Sequence, residues 1–266
     1  MDILHYTFFQ HALAGSFLTS IACGLVGTYV VARRQAFICG GVTHASFGGL
    51  GLGFFLGINP VWTALGFALV SACGVEWAGH RNLLREDSAI AALWSLGMAI
   101  GALFLFLTPG YAPNLSAYLF GSILTITTTD LYLSATTAGI LVAAAAAYHR
   151  PVMYTAFDAD FARTRNIPVT RIHYALAALT ALTVVLSIRL VGIMLLLSLL
   201  TLPPSTLNLF TADYRRIALG SIALSFFASV LGLALSVVLN IPSGAGITLT
   251  LAGVFLIAKF TLPFWR

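Results

Sequence analysis

Charge is what this sequence has least of. Only 8% of its 266 residues are Asp, Glu, Lys or Arg, against roughly a quarter in a soluble domain. So little polar surface cannot cover a folded chain in water, which excludes a soluble globular protein and makes lipid the solvent. Lysine is nearly absent: Lys259 stands alone, between Ala258 and Phe260. The phosphate-cradling G-x-x-x-x-G-K-[ST] loop is therefore missing, and no nucleotide is bound through it. H-E-x-x-H and G-x-S-x-G are missing as well, so an intramembrane hydrolase has no support. Cysteine is scarce: Cys23, Cys39 and Cys73 are odd in number and share no C-x-x-C spacing, which implies neither a disulfide framework nor a zinc cluster. The basic residues form no soluble patch, so nucleic acid is not a partner. Strict apolar–polar alternation is absent too, and with it the signature of a membrane β-barrel.

What is present is apolar. Hydrophobic residues make up 59% of the chain, in runs near 9–32, 36–57, 60–80, 88–108, 131–149, 172–188, 190–210, 217–239 and 246–264. Each is close to the ~20 residues a spanning helix needs, and in hydrocarbon only helices and closed barrels satisfy every backbone group. The expected class is an all-α polytopic membrane protein, a single transmembrane domain over residues 1–266 with no separate soluble domain. Residues 172–210 are too long for one span, so the stretch is cut at Arg189–Gly192. With the amino terminus outside, the inner loops hold Arg33 and Arg34, Arg81 and Arg85, then Arg150, Arg163, Arg165 and Arg171, then Arg215 and Arg216. The tail adds Lys259 and Arg266, leaving only Arg189 outside, as the positive-inside tendency requires. That count gives nine spans, with eight as the alternative, the amino terminus out and the carboxyl terminus in. The first run lacks a basic leader and is followed by Arg33–Arg34, so it reads as a retained span.

The second span, "CGGVTHASFGGLGLGFFLG", is rich in glycine, each of which costs a helix about 1 kcal/mol relative to alanine. Gly41, Ala45, Gly49, Gly53 and Gly57 recur four apart, which places them on one side of a helix. Such small-residue faces let helix backbones approach closely in membranes. His44 lies beside that stripe, between Gly40 and Gly48, about 12 Å into the span. An ionisable group at that depth faces a bundle interior or a water-filled path, and neutral imidazole ligates first-row metals. The flanking glycines leave room beside its ring. A histidine hydrogen-bonded to a neighbouring helix is the competing reading.

Glu76 and His80 are four apart, with Cys73 three residues earlier, so one helix face can hold all three; a structural role at the helix end is favoured. His5 and His11 belong to the outer surface. Asp130, after three threonines, reads as a helix cap. The loop over 150–171 contains "TAFDADFARTRNIPVTR", which spells a short capped helix. Asp158 caps it, Asp160 suits its start, Arg163 and Arg165 suit its end, and Asn166 tolerates a left-handed stop before Pro168.

Five stretches together resemble the permease subunits of the zinc/manganese/iron ATP-binding-cassette importers. They are "RRQAFICGGVTHASFGGLGLG" at 33–53, "YLFGSILTIT" at 118–127, "FDADFARTRNIPV" at 157–169, "LVGIMLLLSLLTLPPSTLNL" at 190–209 and "NIPSGAGITLTLAGVFLIA" at 240–258. The resemblance implies a multi-pass homodimer in the bacterial plasma (inner) membrane. Its implied partners are two cytoplasmic ATP-binding subunits that hydrolyse ATP and an extracytoplasmic metal-binding protein. The permease itself is then not an enzyme and holds no permanent cofactor; a divalent metal ion is its substrate. Phe157, Asp158, Asp160, Ala162, Arg163 and Asn166 correspond to the family's coupling helix for the ATPase, with Asn166 where glycine is usual. His44 corresponds to a family histidine that meets the metal in transit, while Gly40, Gly41, Gly48, Gly49 and Gly53 are read from their spacing as packing the helix along that path. Family members commonly carry an aspartate where this chain has Gly40. Because carboxylate suits manganese and imidazole suits zinc and iron, zinc becomes the first expectation, iron the second. The rivals are a permease for a metal chelate or small organic molecule, and an ion-coupled secondary carrier.

Overall fold

The computed structural model describes residues 7–81, 85–109 and 126–261. Among them every regular element is a helix: α1 Thr7–Ala32, α2 Ala36–Leu56, α3 Pro60–His80, α4 Glu86–Leu107, α5 Thr128–Phe157, α6 Ala159–Thr164, α7 Val169–Phe210, α8 Tyr214–Leu239 and α9 Ser243–Thr261. All but α6, eight in number, are long and apolar enough to cross a membrane. The all-α polytopic class expected from the apolar runs is the one observed. His5, residues 118–125 of the second family-like stretch and Arg266 lie outside the described residues.

Many hydroxyl side chains inside these apolar helices are satisfied locally, whereas Thr19, Ser221, Ser225 and Thr248 have no hydrogen-bond partner among the described residues. Ser20, Thr28, Thr43, Thr180, Thr183 and Thr250 each donate to the carbonyl four residues earlier. That back-bonding lets a spanning helix carry hydroxyls without leaving a donor stranded in hydrocarbon. The helix ends follow local chemistry too. Asn59 caps α3 by accepting from Val61 N, with Pro60 in the first turn. Asp213 caps α8, accepting from the backbone N–H groups of Arg215 and Arg216. Asn240 ends α8 in the left-handed conformation at φ 54°.

Two compact units are formed. The first comprises Gln35–Leu115 and Tyr154–Leu186, and its centre is α2, packed against both α3 and α4. The small residues of α2 are divided between those neighbours. A β-carbon at Gly49 would sit 2.6 Å from the α-carbon of Ala64, and one at Gly53 2.7 Å from that of Pro60, both on α3. Toward α4, a β-carbon at Gly41 would lie 2.6 Å from the Ile90 side chain, and Gly97 of α4 meets the backbone of Ala45. Gly57 departs from the expected stripe. It lies past the end of α2 at φ 67°, where its N–H and that of Ile58 return to the carbonyls of Phe54 and Gly53, a Schellman stop.

The second unit comprises Met1–Arg34, Ser116–Met153 and Ser187–Arg266. Here α8 packs on α1 and α9, again through glycine. Gly24 of α1 faces the Ile222 backbone of α8 and Gly232 of α8 the Ile247 backbone of α9, while Gly27 of α1 meets the Leu200 carbonyl of α7.

Two boundaries carry a lesson. The 42 residues of α7 would make about 63 Å of straight helix, twice the ~30 Å of a hydrocarbon core. The helix is broken at Gly192, with φ 77° and ψ 169°, a conformation essentially restricted to glycine, and this lies at the expected cut. Arg189, just before the break, pairs with Asp130 at 3.1 Å, so the break lies level with the first turn of α5. Asp130 itself is the fourth member of a capping box, rather than the cap. Its carboxylate accepts from the N–H and hydroxyl of Thr127, while Thr127 Oγ1 accepts from Asp130 N, the reciprocal pattern of an N-cap and its N3 partner.

The second boundary differs from expectation. The loop anticipated from residue 150 is helical to Phe157, with a break at Tyr148 (φ −115°, ψ 20°) and Pro151 inside. Proline clashes with the carbonyl four residues before it and removes a donor, which disrupts the turn preceding it. Its own fixed φ suits a first helical turn, so the helix resumes.

Three substitutions test these contacts and the break in α7. Gly49→Leu is expected to lower stability by roughly 1–3 kcal/mol through overpacking against α3, whereas Gly66→Leu, whose β-carbon meets nothing within 4 Å, should leave the melting temperature in detergent unchanged. Gly192→Ala is expected to destabilise by about 1–3 kcal/mol because its backbone conformation is closed to L-residues, and thermal unfolding followed by tryptophan fluorescence would show it.

Candidate functional site

His44 sits in the middle of α2, one position from the small residues that fix that helix between α3 and α4. Its ring is half-buried and stacks on Trp94 of α4, with centroids 4.1 Å apart and planes 12° from parallel. The space expected beside the ring is taken up by neighbours. Trp94 also covers Gly40, where a β-carbon would meet it at 3.2 Å, and Gly48 faces the Gly97 carbonyl and the Phe67 ring. The glycines thus seat a flat indole and a close helix rather than hold an open void. One ring nitrogen, Nδ1, is buried and has no hydrogen-bond partner among the described residues. Buried polar atoms are normally paired, and an imidazole nitrogen lacking a partner keeps its lone pair, or its N–H, for a visitor. Nothing in α2 supplies a carboxylate to stand beside it.

The second constellation lies at the far end of α3. Glu76 and His80, one turn apart, are joined by His173 from the second turn of α7. One ligand atom from each of the three lies within 4.8 Å of the others. Glu76 and His173 are buried, with 7% and 6% of their side chains exposed and 3.9 Å between Oε2 and Nδ1. His80 is exposed, and its ring lies 6.0 Å from those of His173 and Tyr174. Cys73, which shares the helix face, is not a member of this group. Sequence reasoning missed His173. No spacing connects it to Glu76, and only the fold brings the start of α7 to the end of α3. His11, expected at the surface, is half-buried and lies 3.0 Å from the Ile126 carbonyl through Nδ1.

The third element is the short helix α6. Asp158 adopts an extended conformation and accepts from Asp160 N and Phe161 N at 3.1 and 2.9 Å. Asp160 pairs with Arg163 at 2.6 Å. At the other end Asn166 takes φ 57°, with Asn166 N donating to Arg163 O and Ile167 N to Ala162 O, a Schellman stop built on asparagine. Ala162 is fully buried, whereas Phe157 and Phe161 are 62% and 41% exposed. Arg165 lies over the Phe161 ring at 5.4 Å. Six residues would not hold a helix alone; caps at both ends and the buried Ala162 hold this one, and it displays aromatic side chains outward.

Comparison with known proteins agrees with this architecture. The family described as the ABC 3 transport family matches residues 5–261. An uncharacterised membrane protein of a Synechocystis species is 38% identical, with 97% of this chain and 92% of the relative covered. The manganese transport system membrane protein MntC of Halalkalibacterium halodurans is 27% identical, with 100% and 93% covered. Among solved structures, PsaBC from Streptococcus pneumoniae in complex with Fab superposes with a TM-score of 0.86 at 27% identity, covering 97% of this chain and 92% of that one. A match that runs through all of the described helices leaves one assignment: the chain belongs to the ABC 3 transport family, as a multi-pass bacterial membrane permease subunit and not itself an enzyme.

Proposed function

We propose that this chain is the permease of an ATP-driven importer for a divalent first-row transition-metal ion, working as a homodimer in the plasma membrane. Its partners are cytoplasmic ATP-binding subunits and an extracytoplasmic metal-binding protein. The observation that carries the reading is the family match along residues 5–261, supported by relatives named for manganese and metal transport. In this reading the amino terminus is outside, α6 faces the cytoplasm, and Phe157, Asp158, Asp160, Arg163 and Asn166 form the surface that receives the ATPase, with the buried Ala162 anchoring α6 beneath them. The glycines of α2 fix α3 and α4 closely around it, and His44 is the group a passing ion meets.

The site's chemistry and the relatives' names pull toward different ions. Manganese favours carboxylate oxygen, whereas zinc and iron accept imidazole. This chain places glycine at position 40 and no acid anywhere in α2. Zinc is therefore the first candidate, and manganese, for which a relative is named, the second. Uptake of labelled zinc against labelled manganese by cells expressing the importer decides between them, and uptake of neither would remove the metal reading. A stacked imidazole that binds an ion loosely is suited to conduction, because a path must release what it holds.

Two variants test the assignment. His44→Ala should reduce metal uptake at least tenfold while assembly with the ATPase persists; full uptake would return His44 to a packed core histidine. Phe157→Ala combined with Asp158→Ala removes an exposed aromatic and a cap worth about 1 kcal/mol. It should abolish stimulation of ATP hydrolysis in a permease that still inserts, and unchanged stimulation would remove α6 from the coupling surface.

A further inference from the structure

We propose that Glu76, His80 and His173 form a second divalent-metal site, separate from His44, that ties the end of α3 to the start of α7 beside α6. Three observations carry it. First, the donor set is two imidazoles and one carboxylate with ligand atoms mutually within 4.8 Å. Zinc bonds of 2.0–2.2 Å place tetrahedral ligand atoms about 3.4 Å apart, so an ion needs only a small inward movement of three side chains. Second, Glu76 and His80 are spaced one turn apart on one helix, so two of the three donors share a rigid face, and only His173 has to meet them from α7. Third, the burial is graded. Glu76 and His173 lie inside, and His80 is exposed, which gives an ion a way in and leaves a fourth position for water, as in zinc sites with three protein ligands.

A purely structural role accounts for less. The Glu76–His173 ion pair at 3.9 Å joins α3 to α7 by itself and gives no reason for His80 to converge on the same point. An ionisable carboxylate buried within a spanning helix is costly and marks function by default.

The consequence for transport rests on the proposed function. His173 follows α6 by a short connection, Arg165–Pro168, and the first turn of α7. An ion held by all three side chains pins that connection to α3, so metal on this side of the membrane restrains the coupling helix.

Cobalt(II) is the probe, because its visible absorption reports tetrahedral nitrogen–oxygen ligation directly on the full-length permease in detergent. The wild type and His44→Ala should both show that band and bind cobalt with the same affinity at this site. His80→Ala, at an exposed position where folding is not at stake, and Glu76→Gln should each weaken binding at least tenfold and lose the band, and excess zinc should displace cobalt from the wild type. An unchanged band in both His80→Ala and Glu76→Gln would overturn the site, as would a band lost only in His44→Ala. Cobalt binding of the predicted pattern in a protein that transports no metal would refute the import reading and leave the site standing.

Discussion

Lipid tails are as apolar as leucine, so burying side chains gives helices in a membrane little reason to associate. What holds them is close van der Waals approach and internal hydrogen bonding. Around α2 this constraint is met through glycine. Gly49 and Gly53 bring α3 within reach of the backbone, and Gly97 brings α4 against Ala45. A contact made between backbones has few rotamers to relax into, so α2 moves with its neighbours or slides along them as a rigid surface. His44 is carried on that surface, and the stacked Trp94 limits the orientations its ring can take.

Much of this was legible in the sequence because it is local. Apolar runs locate spans where hydrocarbon leaves the backbone no alternative, and Asp158 and Asn166 announce both ends of α6 through short-range hydrogen bonds alone. Gly192 marks the break in α7 because its conformation excludes other residues. Other features depend on partners distant in sequence, for which no periodicity speaks. Trp94 lies across Gly40 and His44 only because α4 returns beside α2, so the glycines suggested room that an indole fills. His173 completes the Glu76–His80 pair only through the fold. Pro151 misled for a different reason: proline ends the turn before it and equally well starts the turn after it, and sequence alone does not say which role prevails.

The hydroxyls make a related point about polarity in an apolar chain. Threonines and serines along α1, α2 and α7 donate to their own helix, so they add polar groups without adding polar surface. The groups that stand out chemically are titratable ones: the unpartnered imidazole nitrogen of His44, the buried carboxylate of Glu76 and the charged pair of Asp130 and Arg189.

That charged pair bears on how the chain is made. An unpaired arginine costs about 2.5–3.5 kcal/mol on insertion scales at the centre of a spanning helix, an upper bound for Arg189 at the end of its span. Asp130 lies earlier in the chain than Arg189, and at roughly 5–20 residues per second it leaves the ribosome a few to about ten seconds before it. Asp130 is thus available as a counter-ion when Arg189 emerges, and until then its charge is held within the capping box of α5, where Thr127 N and Oγ1 donate to it.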